Sequence, residues 1–166
     1  MLAATSLTDT RSLDTRVSTG DICRALHAYP ARHQFIREAH YADHVLTATA
    51  DRFVHPFHEP WVEHLTREHA VLYATQASYL LIQAAIDAGQ FPHLTAEHYH
   101  YVCRSEEGLM SKISVRFYRT APVPACVHIV AQINKVRQFR GAIFVNCEYR
   151  ISDICLVEAW LTSPIG

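Results

Sequence analysis

The segment at positions 55–69 concentrates side chains that could transfer protons or bind a metal. It reads HPFHEPWVEHLTREH and holds four of the chain's twelve histidines together with three glutamates. Its spacing matches neither HExxH nor HxxEH, and Pro60 prevents the helical register that these zinc motifs require. His98 and His100, on a helix, would point in different directions. We therefore predict neither a metal nor another cofactor.

His58 has the clearest chemical use in this segment. It lies between Pro56 and Pro60, eight residues before Thr66, which is suited to cap a helix. Histidine takes a proton near neutral pH, and the free amides at a helix start favour negative charge. Such a pair would suit a reaction in which a carbonyl oxygen becomes an oxyanion. A loop histidine without a catalytic role remains the alternative, and we interpret His64 and His69 as structural.

One long helix is predicted to hold the centre of the fold. It begins after Thr66 and ends at Gly89, a residue type that commonly terminates helices. The segment TREHAVLYATQASYLLIQAAIDAG is apolar nearly all round, which is typical of a buried helix.

Strand patterns precede and follow this helix. Segments 34–41 and 45–54 form a predicted hairpin, and a short helix is expected at 95–104. Four further strands, from position 112 to 161, are expected to form an antiparallel meander. This order predicts an α+β hotdog fold, in which a six-stranded antiparallel sheet wraps around a long central helix. We expect a flexible tail at 1–19 and a single domain at 20–166.

Composition narrows the classes of function. The chain has 166 residues and a formal net charge of -1, without a basic run, so we expect no nucleic-acid partner. No apolar stretch reaches the roughly 20 residues of a membrane span, and residues 1–19 lack the apolar core of a signal peptide. Five cysteines without a CxxC pair predict reduced thiols and a cytoplasmic protein.

Three short motifs carry a resemblance to a known family. They are Ala28-Tyr29-Pro30, TQASY at 75–79 and SVRFYR at 114–119. Across positions 28–161 the chain resembles the FcoT-like acyl thioesterases, hotdog enzymes of actinobacteria that hydrolyse fatty acyl thioesters. Relatives in natural-product pathways add glycine to an α,β-unsaturated acyl thioester and then release a β-amino acid. The resemblance implies a homodimer or higher oligomer whose site is shared between subunits.

The resemblance also assigns roles to individual residues. Tyr29 and Tyr79 match active-site tyrosines of the family, whereas His58 replaces a second tyrosine. Thr66 and Thr75 stand where the family has asparagines. We therefore predict catalytic roles for His58, Tyr29, Thr66 and Tyr79, and substrate binding for Thr75. Packing of Tyr29 on the sheet is the alternative for that residue.

Basic residues supply two further predictions. An arginine would suit the carboxylate of glycine, with Arg32, Arg37 and Arg67 as unranked candidates. The stripe formed by Lys112, Arg116 and Arg119 would receive an acyl carrier protein, although a solvated strand face is the alternative.

The predicted function combines addition with hydrolysis. Glycine would add to an α,β-unsaturated thioester on an acyl carrier protein, and hydrolysis would release an N-carboxymethyl-β-amino acid. His58 would accept the amine proton, while the helix start near Thr66 would polarise the carbonyl. Two alternatives stay open: a plain fatty acyl-CoA or acyl carrier protein thioesterase, and a dehydratase-like hydro-lyase or acyl-binding hotdog protein. The acid of a hydro-lyase would come from Glu59, Glu63 or Glu68.

Overall fold

A long helix and an antiparallel sheet organise the molecule. The computed structural model describes residues 15–53, 64–105 and 109–165. The elements are, in chain order, β1 (Thr15–Val17), α1 (Thr19–Ala25), β2 (Ile36–Ala42), β3 (Val45–Asp51), α2 (Arg67–Asp87), α3 (Ala96–Ser105), β4 (Leu109–Phe117), β5 (Cys126–Phe139), β6 (Ala142–Ile151) and β7 (Cys155–Pro164). A 3-10 turn at Ala31–His33 links α1 to β2.

The predicted central helix is confirmed as α2. Thr66 caps its first turn, and Gly89 follows its last residues with a φ of 74°. Buried side chains occur on all sides of α2, and the helix contacts the six strands from β2 to β7. The predicted α+β hotdog fold is thereby confirmed, because the sheet wraps around this helix. No helix in the described ranges is long and apolar enough to cross a membrane.

The sheet has seven strands in the order β1-β2-β3-β5-β6-β7-β4, one more than predicted. The additional strand, β1, pairs with β2 through Thr15, Arg16 and Val17. It lies inside segment 1–19, before the start at residue 20 that we expected for the folded domain. A strand of three residues without alternating apolar residues gives little sequence signal of its own.

The predicted meander of four strands is wrong in one connection. Strands β5, β6 and β7 follow one another in the sheet, but β4 pairs with β7 at the far edge. The strand beside β5 is instead β3. The segment between β4 and β5 passes through Ala121 and Val123, which are buried, and Leu65 donates its N–H to the Ala121 carbonyl at 3.0 Å. The connection therefore crosses near the start of α2 rather than closing a hairpin.

Two-residue turns join two of the hairpins. Asp43 and His44 connect β2 to β3 with φ values of 48° and 68°. Arg140 and Gly141 connect β5 to β6 with φ values of 49° and 75°. Two consecutive positive φ values match the twist of paired antiparallel strands, so both turns suit the hairpins that they close.

Candidate functional site

An apolar cavity lies between α2, α3 and the strands β4, β6 and β7. Its volume is about 100 Å³. Most of the lining is aliphatic or aromatic, and the few polar groups come mainly from α2 and α3. The lining residues are Thr75, Ser78, Tyr79, Ile82, Leu94, Tyr99, Val102, Cys103, Met110, Ile143, Val145, Leu161, Thr162 and Ser163. A cavity of this kind suits a small apolar group held beside a few oriented polar atoms.

Two predicted catalytic tyrosines meet beside this cavity. The rings of Tyr29 and Tyr79 pack edge to face, with centroids 6.0 Å apart. Burial and then the neighbouring Tyr79 raise the pKa of Tyr29 to about 12. Burial and then Cys103 raise the pKa of Tyr79. Both phenols therefore stay protonated at neutral pH and are hydrogen-bond donors rather than bases.

Amide side chains fix the loop that presents Tyr29. Gln34 donates through Nε2 to the carbonyls of Leu26 and Tyr29, at 3.1 and 3.0 Å. Gln76, fully buried on α2, accepts from the Phe35 N–H at 2.9 Å and donates to the His33 carbonyl at 2.6 Å. The Gln34 bonds therefore stabilise the loop itself, and the Gln76 bonds attach its end to the central helix.

Thr75 is the predicted substrate-binding residue that lines the cavity. Its hydroxyl donates to the Val71 carbonyl one turn earlier, at 2.8 Å. Because the proton is used within the helix, the oxygen is left to accept a hydrogen bond from a ligand.

A second polar group lies at the start of α2 and contains Thr66. His69, only 1% exposed, bonds through Nε2 to the carbonyl of Phe53 at 3.0 Å. Since a carbonyl only accepts, Nε2 carries the proton and Nδ1 is the acceptor. Thr66 Oγ1 lies 2.7 Å from that Nδ1, so the threonine hydroxyl donates to the imidazole. The result is a partly exposed hydroxyl paired with a buried base at a helix N-terminus.

A hydrogen-bonded tyrosine ties this group to the end of β3. The Tyr73 hydroxyl accepts from the Phe53 N–H at 2.8 Å and donates to the Asp51 carbonyl at 3.0 Å. Burial raises the pKa of Tyr73 to about 12, so this donor also stays protonated. The carboxylate of Asp51 meets Arg37 at 2.6 Å.

The predicted residues thus form two groups. Thr66 lies nine residues before Thr75 in the sequence. At 1.5 Å per residue, this places the two positions about 13.5 Å apart along the helix. Within one protomer, Thr66 and the tyrosine-lined cavity do not share one reaction centre. His58 lies outside the described residues.

The candidate arginines are dispersed. Arg32, on the 3-10 turn, and Arg67, the first residue of α2, are exposed. Arg37 is exposed on β2 and engaged by Asp51. Lys112 and Arg116 project from β4, and Arg119 lies two residues beyond that strand. The described structure gathers none of these residues around the cavity lining.

Sequence reasoning missed two parts of the site. We interpreted His69 as structural, and its side chain does have a structural role, because it accepts from the backbone N–H of the N-cap residue Thr66 in a capping box. We did not anticipate that its Nδ1 also pairs with the threonine hydroxyl. The T-x-x-H spacing, in place of the usual capping box with glutamate or glutamine, was the available signal. The wall that α3 contributes through Tyr99, Val102 and Cys103 was also missed. Within the described ranges, no three His, Cys, Asp or Glu side chains gather as metal ligands.

Among the comparisons with known proteins, only the comparison with solved structures found matches. No protein-family model matches the chain, and no curated protein matches it. The Escherichia coli PaaI protein, from the phenylacetic acid degradation operon, matches with 13% identity over 89% of this chain and 93% of its own, at a TM-score of 0.48. The Haemophilus influenzae thioesterase HI1161 matches with 14% identity over 74% and 73%, at 0.45. A hypothetical thioesterase of Streptococcus pneumoniae, solved with coenzyme A, matches with 11% identity over 74% and 81%, at 0.44.

Proposed function

We propose that this protein is an acyl-thioester enzyme that hydrolyses the thioester of an acyl group held in the cavity beside α2. The observation that carries the proposal is the apolar cavity itself, with Thr75 and Tyr79 in its lining and Tyr29 packed against Tyr79. The apolar walls suit an acyl chain, and the phenols are protonated donors for a carbonyl oxygen that becomes negative.

The tyrosines and the Thr66–His69 pair have different roles in the proposed hydrolysis. Tyr29 and Tyr79 donate to the carbonyl oxygen as it becomes an oxyanion. At the helix start, water gives a proton to Thr66, whose own proton passes to Nδ1 of His69. The water oxygen attacks the carbonyl carbon, the carbon–sulfur bond breaks, and the thiol leaves with the proton returned from His69.

A dimer would bring the two groups together. The distance along α2 separates Thr66 from the cavity in one protomer, so we propose that the Thr66 group of one protomer faces the tyrosine-lined cavity of its partner. The isologous interface of a symmetric dimer then creates two equal sites. The five cysteines are free thiols, which supports the proposed cytoplasmic location.

We further propose addition of glycine before hydrolysis when the acyl group is α,β-unsaturated. The glycine nitrogen bonds to the β-carbon as the carbon–carbon double bond opens, and His58 takes the amine proton. Tyr29 or Tyr79 protonates the α-carbon of the resulting enolate, and the proton held by His58 restores the phenol. Arg32, Arg37 or Arg67 would hold the glycine carboxylate. The thioester would be presented by an acyl carrier protein or by coenzyme A, with Lys112, Arg116 and Arg119 as the predicted carrier contacts.

Product analysis tests this proposal. The protein is incubated with crotonyl-pantetheine, with and without glycine, and the products are identified by mass spectrometry. We expect free crotonate without glycine and an N-carboxymethyl-β-amino acid with it. Crotonate alone under both conditions would reduce the function to plain hydrolysis. An intact thioester would contradict hydrolysis, and a 3-hydroxyacyl thioester would assign the hydro-lyase reaction instead.

A further inference from the structure

The chain's only two lysines lie in one row across the outer face of the sheet. Lys112 on β4 is opposite Trp160 on β7, Trp160 is opposite Asn146 on β6, and Asn146 is opposite Lys135 on β5. Each lysine follows directly after an irregularity of register, between Met110 and Lys112 and between Ile133 and Lys135. Bulges re-aim the side chains that follow them, and here two separate bulges align the two lysines.

Arginine and aromatic residues extend this row. Arg137 lies over the Trp160 ring, 5.8 Å from its centroid. In the next row towards the β5–β6 turn, Arg137 is opposite Phe144. At the turn itself, Arg140 lies 4.9 Å from the centroid of the Phe139 ring, which is 58% exposed. We call the surface formed by Lys112, Lys135, Arg137, Arg140 and Trp160 the basic patch.

Among the described residues, two glutamates lie in the row beside the basic patch. The adjacent row on the other side of the lysines contains Glu158 opposite Glu148. Glu148 is engaged by Arg150 at 3.2 Å. Arg116 lies one row further along β4, beyond these glutamates. Because the whole chain has a net charge of only -1, this arrangement is a local separation of charge rather than a general excess.

We propose that the basic patch is the docking surface for an acidic face of the protein that presents the acyl thioester. This inference rests on the proposed function and changes the predicted carrier contacts from a stripe along β4 to a row across four strands. Lys112 is retained, Lys135 and Arg137 are added, and Arg116 and Arg119 are left out. Exposed charges of this kind steer an oppositely charged partner and fix its orientation.

The position of the basic patch supports this partner. Met110, Val145 and Leu161 line the cavity from the inner face of the same strands. Since β4 is an edge strand, a flexible arm that carries the acyl group would pass around that edge from a carrier on the outer face. A nucleic acid suits the patch less well. Single strands stack their bases on open aromatic faces, whereas Arg137 covers Trp160.

Carbodiimide cross-linking to a purified bacterial acyl carrier protein tests the docking surface directly. This reagent joins carboxylates to amines, and the chain offers Lys112, Lys135 and its N-terminal amine. We expect cross-linked peptides that contain Lys112 or Lys135, and their loss in high salt because exposed charges are screened. Cross-links confined to the N-terminal amine, or none, would overturn the proposal.

Charge reversal identifies which basic side chains bind the carrier protein. We expect the double substitution Lys135→Glu and Arg137→Glu to raise the dissociation constant for the carrier protein roughly tenfold. The double substitution Arg16→Glu and Arg150→Glu, in another row of the same face, is the matched control and should change it about twofold at most. An equal loss from this control would overturn the patch, as would binding of single-stranded DNA with the same dependence on Lys135 and Arg137. Binding is measured without turnover, so failure of thioester hydrolysis would be seen separately.

Discussion

At the scale of single residues, the state of protonation decides what the buried tyrosines are able to do. Burial raises the pKa values of Tyr29 and Tyr73 to about 12, which makes both hydroxyls donors throughout the neutral range. The candidate base is instead His69, whose Nδ1 faces the Thr66 hydroxyl. These assignments depend on neighbours that are distant in the sequence, above all the Phe53 carbonyl that fixes the tautomer of His69.

The raised pKa values predict how stability depends on pH. An unfolded tyrosine has a pKa of about 10, so the folded state favours the protonated phenol. This contribution is fully present below pH 10 and is lost as the pH rises from about 10 to about 12. Ultraviolet absorbance should show tyrosine ionisation near pH 12 that decreases in Tyr29→Phe and in Tyr73→Phe. Complete ionisation of all tyrosines near pH 10 in the folded protein would contradict this prediction.

At the scale of elements, α2 depends on a buried amide to hold the Tyr29 loop. Replacing Gln76 with leucine removes the partners of the Phe35 N–H and the His33 carbonyl. We expect the free energy of unfolding to fall by about 2 kcal/mol or more, because two buried groups lose their hydrogen bonds. Urea unfolding measures this change.

The matched control is Gln83→Leu on the same helix. Among the described residues, Gln83 bonds only to Asp87, and its buried Oε1 has no hydrogen-bond partner. We therefore expect little change in stability from this substitution. A loss as large as that from Gln76→Leu would show that the leucine side chain, and not the broken loop contact, destabilises the protein.

The elements also show what a single sequence is able to predict. The limits of α2 were correct because its signals are local: Thr66 caps the first turn and Gly89 adopts a positive φ beyond the last. The turn at Asp43 and His44 is equally local. The placement of β4 was wrong, because pairing between strands that are distant in the sequence depends on where the connection crosses. The meeting of Tyr29 with Tyr79 was suggested only by family resemblance, since fifty residues separate them.

At the scale of the whole molecule, the proposed hydrolysis depends on a dimer that joins Thr66 of one protomer to Tyr79 of its partner. We expect Thr66→Val and Tyr79→Phe each to lower hydrolysis of crotonyl-pantetheine about a hundredfold or more. The first removes the hydroxyl that passes a proton from water to His69, and the second removes an oxyanion donor. In a heterodimer with one protomer of each variant, one site joins the intact Thr66 to the intact Tyr79. Tandem purification of differently tagged protomers should therefore recover about half of the wild-type activity. A heterodimer as inactive as either homodimer would place each complete site within one protomer.

Occupation of the cavity by the acyl chain is the claim from which the proposed function follows. A pantetheine thioether analogue with a photoreactive diazirine at the end of its acyl chain tests this claim most directly. After irradiation, peptide mass spectrometry should locate the label on the cavity walls formed by α2, α3 and the segment between them, at positions such as Ile82, Leu94 or Val102. Labelling confined to the outer face of the sheet, or equal labelling when crotonyl-pantetheine is present as a competitor, would contradict the account.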